Sequence, residues 1–196
     1  MSEQTKEKIF QGVLSLAQQG VPLYEVKVQA IATAAGLGKG TLYEYFSSKE
    51  EILAATMLWC MERELGALEE QLDAGTSFES KLENAQTFVV KMLLERGSRY
   101  RVIAAALTAP RGSSELPQQA RRPLEQCKQR LLGLIQCMID TGRSEGRIGP
   151  SCSDEYCHYV MKAAMLSVCA AQSCGGEAGL NRSAAHVRAM ICKALA

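Results

Sequence analysis

Residues 39 to 45, Lys-Gly-Thr-Leu-Tyr-Glu-Tyr, carry several side chains that can donate hydrogen bonds to an anionic partner. On a helix Lys39 and Tyr43 are one turn apart, as are Thr41 and Tyr45, whereas Leu42 faces the other way. Lysine can contact phosphate or guanine, and threonine can contact phosphate or a thymine methyl group. Tyrosine hydroxyls can reach phosphates. The segment therefore predicts a helix that contacts DNA through Lys39, Gly40, Thr41, Tyr43 and Tyr45.

Neighbouring residues extend this candidate surface. Lys27 and Gln29 begin the preceding helix, and Lys49 lies in the first turn of the next one, where free N–H groups favour an anion. The glycine turn 36–38 joins the two short helices, which predicts a helix-turn-helix. A helix hairpin that merely caps a bundle has the same local pattern, so the geometry alone leaves both interpretations open.

Apolar periodicity predicts an all-α protein of about nine helices, with no alternating strand pattern. The first three helices are predicted at 6–18, 28–35 and 39–45. A serine or threonine followed three residues later by glutamate predicts two further helix starts, at Ser48 and Thr76. Pro123 suits the first position of a helix, and Asn181 suits the cap of the last helix, 182–195.

Composition describes an ordinary globular protein. The 196 residues are 47% apolar, and the net charge is +1. Residues 1–50 contain five lysines and five glutamates, so no basic excess marks this region. No signal peptide and no long apolar run are evident, so we expect a cytoplasmic protein with no membrane partner and with reduced thiols.

The eight cysteines form no C-x-x-C motif. The pairs Cys152/Cys157 and Cys169/Cys174 are each five residues apart, so neither pair shares a helix face. No sequence-local nucleophile, phosphate loop or metal-ligand pattern appears. We therefore expect no enzyme, no catalytic residues, no bound metal and no cofactor.

The string Ile31-Ala32, Ala35-Gly36, Lys39-Gly40-Thr41-Leu42-Tyr43, Tyr45-Phe46, Lys49-Glu50 strongly resembles the N-terminal domain of the TetR family of bacterial transcriptional regulators. The resemblance implies a DNA-binding domain at 1–48, with its helix-turn-helix at about 27–46, and a ligand-binding and dimerisation domain at 49–196. It also implies a homodimeric repressor that a small-molecule effector releases from a palindromic operator. The chain departs from the family at Gly38, where Ser or Thr is usual.

Two further sets of residues follow from this resemblance. Apolar residues of the last two helices are predicted to form the dimer interface: Tyr156, Val160, Ala164, Val168, Val187 and Ile191. Large apolar side chains between helices are candidates for an effector pocket: Trp59, Phe88, Met92, Tyr100, Met138 and Met165. The alternative functions are a thiol- or metal-responsive sensor and an all-α interaction protein that does not read DNA.

Overall fold

The computed structural model describes residues 2–23, 25–95, 117–170 and 176–196. These ranges contain eight helices and no strand, which confirms the all-α prediction. The predicted apolar stretch from 100 to 107 lies outside the described residues. The helices are α1 (Glu3–Gln18), α2 (Val28–Ala35), α3 (Lys39–Tyr45), α4 (Lys49–Asp73), α5 (Phe78–Glu95), α6 (Gln118–Ser144), α7 (Asp154–Ala170) and α8 (Gly176–Leu195).

The described residues form two compact units, and the division falls inside α4. The first unit contains the residues up to Glu64 together with those from 117 to Cys127. The second begins at Leu65 and contains the rest of α4, α5, the remainder of α6 and the two last helices. The domain boundary at 48/49 stays a prediction.

The first unit is built around apolar residues from α1 to α4. Ile9, Ile31, Leu42 and Ile52 have no exposed surface, because each sits on the inward stripe that the periodicity predicts. Phe10 adds aromatic contacts with Phe46 and Trp59, at centroid distances of 6.1 and 5.7 Å. This core fixes the orientation of α3.

The turn between α2 and α3 depends on Gly36. Its φ of +66° lies in the left-handed region, where a side chain is strained. The turn closes through the Leu37 amide, which donates to the Ala32 carbonyl at 2.9 Å. This glycine-ended helix is the C-cap arrangement common in proteins, and it lets α3 leave at a sharp angle.

In the second unit, the turn after α6 holds the start of α5. The Phe78 amide donates to both carboxylate oxygens of Glu145 at 3.1 Å. A Cβ atom at Gly142 would lie 2.9 Å from carbon atoms of Phe78 and Ile148, both of which are buried. Glycine is therefore required at 142 for close packing rather than for its backbone angles.

The capping prediction for α5 is wrong by one residue. Ser77 precedes α5, and its hydroxyl accepts from the Ser80 amide at 3.1 Å. Glu79, which was expected to complete a box with Thr76, instead reaches Arg147 at 3.4 Å. Two serines three residues apart satisfy the helix end locally, so the glutamate is left for an ion pair.

α1 begins at Glu3 rather than at residue 6, and two later helices also begin earlier than the sequence predicts. α6 starts at Gln118, so Pro123 lies inside it rather than at its first position. The preceding glutamine, alanine and arginines are good helix formers, which favours the extension. α8 starts at Gly176, before Asn181, because Leu180 is buried and holds the added turn against the unit.

Candidate DNA-binding surface and effector cavity

The candidate DNA-contacting helix, α3, presents opposite faces to the core and to solvent. Leu42 is fully buried, whereas its neighbour Tyr43 is 48% exposed. Lys39 is exposed at the start of the helix, and its ammonium nitrogen lies 5.7 Å from the centre of the Tyr43 ring. This distance permits a cation–π contact that holds the lysine and the tyrosine together on one surface.

The remaining predicted contacts of α3 differ in exposure. Gly40 is exposed and has open space around it, so its backbone is accessible. Thr41 is half-buried, and so is Tyr45, which packs against the core of the first unit. The N-cap residue Gly38 has no side-chain hydrogen bond to offer the helix.

The flanking candidates lie at helix starts. Lys27 is the exposed N-cap residue of α2, and Gln29 is exposed one residue inside that helix. Lys49 is the half-buried first residue of α4. The predicted cap of α4 forms in part: the Glu51 amide donates to the Ser48 hydroxyl at 3.1 Å, but the Glu51 carboxylate accepts from the amide and hydroxyl of Ser47.

The second unit contains a cavity of about 80 Å³ whose walls come from five helices. Of the six residues predicted for the effector pocket, Met138 and Met165 line it. The lining residues are Leu68 and Leu72 from α4; Leu82, Ala85, Gln86 and Val89 from α5; Leu131, Leu134, Ile135 and Met138 from α6; Met161, Ala164, Met165 and Val168 from α7; and Val187 and Ile191 from α8.

The other four predicted pocket residues are not among the described residues that line the cavity. Trp59 packs against the core of the first unit, with the Arg63 guanidinium 4.9 Å from its ring. Phe88 and Met92 belong to α5 but are not among the described residues that line the cavity. Tyr100 lies outside the described residues. A large apolar side chain does not by itself indicate whether a residue bounds a cavity or belongs to the packed core.

Comparison with known proteins identifies the N-terminal part of the chain. Residues 16–56 match the family model of bacterial regulatory proteins of the tetR family, and this range contains the whole α2–turn–α3 segment. The N-terminal part of the chain is therefore a tetR-type DNA-binding domain, which confirms the resemblance stated from the motif. The chain is a DNA-binding transcriptional regulator with a helix-turn-helix.

Solved structures show that the likeness in fold extends over the whole length of this chain. A TetR-family regulator from Rhodococcus sp. aligns with a TM-score of 0.70 at 19% identity and covers 100% of both chains. Bacillus subtilis FadR in complex with stearoyl-CoA gives 0.70 at 16% identity, covering 97% of this chain and 99% of its own. A protein studied for hormone control of antibiotic production gives 0.77 at 18%, covering 100% and 99%. No curated protein matches the sequence.

The candidate dimer surface in the structure differs from the one predicted from the sequence. Five of the six predicted interface residues, Val160, Ala164, Val168, Val187 and Ile191, are buried inside the second unit, so they are not available to a partner. Tyr156 alone remains accessible, at 45% exposure. The exposed large apolar residues of the same two helices are Tyr156, Tyr159, Met165, Leu166 and Met190.

The described cysteines include one whose reactivity is lowered by burial. Cys137, Cys152, Cys157 and Cys192 are free. Burial raises the pKa of the Cys157 thiol, and the nearby Cys152 adds to the rise, so the reactive thiolate is disfavoured there. Within the described ranges no three His, Cys, Asp or Glu side chains come together as metal ligands. Nor does any described helix have the length and apolar character needed to span a membrane.

Proposed function

We propose that this protein is a homodimeric transcriptional repressor that binds a palindromic operator and is released from it by a small-molecule effector. The observation that carries the proposal is the orientation of α3. The fully buried Leu42 fixes the helix on its core, and Lys39 and Tyr43 are thereby presented together to solvent. In a helix-turn-helix of a TetR protein, that accessible face is the one that enters the major groove.

The proposed DNA contacts combine four kinds of group. Lys27, Lys39 and Lys49 supply positive charge for phosphates, and release of counterions makes such binding strongly dependent on salt. Thr41, Tyr43 and Tyr45 supply hydroxyl donors to phosphates, and Thr41 can instead contact a thymine methyl group. Gln29 adds a side-chain amide, and Gly40 allows close approach of the backbone.

A response to an effector is supported by the cavity in the second unit. The walls include Leu68 and Leu72 of α4, while Ile52 and Met57 of the same helix lie in the core of the first unit. One continuous helix thus contributes to the cavity and to the core that carries α3. Ligand binding among TetR neighbours also supports the proposal, since the B. subtilis FadR structure contains stearoyl-CoA.

A homodimer is supported by the exposed apolar side chains of the last two helices. Tyr159 and Leu166 of α7 are 69% and 66% exposed, and Met190 of α8 is 47% exposed. Residues 159 and 166 are seven apart, so they share one face of the helix. A two-fold contact between copies buries the same face from each subunit.

The first experiment measures fluorescence anisotropy of labelled DNA from upstream of this protein's own gene, beside a scrambled duplex, at two salt concentrations. We expect a preference for the upstream DNA of roughly a thousandfold. Lys39→Ala should weaken binding and reduce the dependence on salt by about one phosphate contact, whereas Lys91→Ala, on α5 of the second unit, should do neither. Equal and weak binding to both duplexes would count against a sequence-specific regulator of its own gene.

Dimerisation is tested separately by sedimentation equilibrium. Leu166→Glu should shift the protein towards the monomer, because a charge in an apolar contact is costly. Leu94→Glu makes the same change at an exposed leucine of α5, so it is the matched control and should leave the association unchanged. An unaltered dimer in Leu166→Glu would place the interface elsewhere.

A further inference from the structure

The cavity of the second unit is selective in its chemistry, and the following inference rests on the proposed response to an effector. We infer that the effector is a neutral, predominantly apolar small molecule that makes few or no hydrogen bonds to the protein. Three features support it: the residues that line the cavity, the hydrogen bond of Gln86, and the methionine side chains in the walls.

The lining is almost entirely hydrocarbon and thioether. Sixteen of the described residues contribute to the walls, and Gln86 is the only one of these sixteen that is not apolar. No charged side chain is among them. An ionised carboxylate or ammonium in such a site loses its hydration without gaining a partner, which costs several kcal/mol. A charged group of the ligand would therefore have to stay outside.

The single polar side chain among these residues is partly engaged. The Gln86 amide nitrogen donates to the backbone carbonyl of Ala184 on α8 at 2.8 Å. This bond ties α5 to α8, orients the amide and uses one of its two N–H donors, so the other N–H and the Oε1 oxygen are all that Gln86 can offer a ligand. A ligand that depends on several hydrogen bonds would therefore bind poorly, whereas one held by apolar contacts would not be affected.

The walls can adapt to a ligand larger than the empty space. Apolar cavities of roughly 150 Å³ stay dry and take up benzene, and this cavity is about 80 Å³. Met138, Met161 and Met165 line it, and methionine side chains rearrange easily around apolar ligands. Met165 is 37% exposed and is the most accessible of the described lining residues, so we place the ligand entrance beside it.

The test uses three probes of similar size and different charge: toluene, benzoate and benzylamine. Binding is read as the shift in Tm of the full chain without DNA, so it does not depend on the operator assay. We expect toluene, at ten times its Kd, to raise Tm by roughly 3 to 6 °C. Benzoate and benzylamine, which are charged at pH 7, should leave Tm unchanged at the same concentrations.

Cavity-filling variants locate the binding. Ala85→Leu adds three carbons at the cavity wall and should weaken toluene binding by about tenfold or more, and Ala164→Leu should do the same from α7. Thr87→Leu adds bulk at an exposed position of α5 and is the matched control, expected to bind toluene as the native protein does. The second filling variant keeps the test valid if the first does not fold.

Three results would overturn the inference: a Tm rise with benzoate or benzylamine equal to that with toluene, no rise with any probe, or full toluene binding in both filling variants. None of these results bears on operator binding. Failure of the proposed function would appear instead in the anisotropy assay, as a lack of operator preference.

Discussion

Adjacent residues of α3 have opposite roles, which gives the sharpest test of its orientation. Leu42 has no exposed surface, whereas Tyr43 is 48% exposed. If α3 is oriented as described, Leu42→Ala damages the fold and Tyr43→Ala damages DNA binding. The order would reverse if the helix were rotated by one residue, or by about 100°.

The expected magnitudes follow from burial. Leu42→Ala removes a fully buried side chain and leaves a cavity, so it should lower the free energy of unfolding by about 2 to 4 kcal/mol. For a chain of this length the fall in Tm is roughly 4 to 16 °C. Tyr43→Ala removes a side chain that is only half covered, so its cost to stability is about 1 kcal/mol or less.

For DNA binding we expect Tyr43→Ala to have the larger effect and Leu42→Ala the smaller one. A hydrogen bond from the Tyr43 hydroxyl to a charged phosphate contributes about 1.5 to 3 kcal/mol, so its loss weakens binding by roughly 10- to 150-fold. Tyr43→Phe keeps the ring beside Lys39 and removes only the hydroxyl, so it should reproduce most of that loss.

Thermal denaturation and operator anisotropy, measured below the Tm of every variant, separate the two effects. The reasoning would be refuted if Tyr43→Ala unfolds the protein while the folded Leu42→Ala variant loses operator affinity more than Tyr43→Ala does. Loss of binding in Tyr43→Ala but not in Tyr43→Phe would instead assign the contribution to the ring.

Four further predictions concern glycines and cysteines. Gly142→Ala should lower stability by about 1 to 3 kcal/mol in thermal denaturation because its Cβ overlaps buried side chains, while Gly133→Ala, which has open space, should raise it by up to about 1 kcal/mol. In iodoacetamide labelling followed by mass spectrometry, exposed Cys137 should react well before buried Cys157. Burial raises the pKa of Cys157 above its ordinary value of 9.0, so the protonated thiol favours the folded state below that pH. In chemical denaturation the free energy of unfolding should therefore fall as the pH rises through the raised pKa. Gly38→Ser should stabilise α3 by a few tenths of a kcal/mol and tighten operator binding in the anisotropy assay, since it adds a capping hydroxyl.

The helix-turn-helix could be predicted closely because its signals are local. The bounds 28–35 and 39–45 match α2 and α3 residue for residue. A left-handed glycine at 36, an apolar stripe through Ile31 and an inward Leu42 each depend on neighbours within one or two turns. Where two local solutions compete, as with Ser77 and Thr76 before α5, the sequence places the helix start only to within a residue.

The cavity was harder to predict for a physical reason. Apolar residues at Leu131, Leu134 and Met138 are recognisable as a stripe, and they do line the cavity. The stripe itself does not indicate whether neighbouring helices fill the space in front of it. Trp59 shows the difficulty in the other direction, since its large ring fills space in the first unit rather than bounding an empty one.

The dimer surface shows where periodicity fails altogether. α7 is apolar over much of its circumference, and it carries two stripes: Val160, Ala164 and Val168 at intervals of four, and Tyr159 and Leu166 seven apart. Either stripe satisfies the pattern of a buried face. The structure buries the first in the second unit, where Ala164 and Val168 bound the cavity, and exposes the second. Long-range packing makes that choice, so a sequence can identify both faces of such a helix without indicating which one is left for a partner.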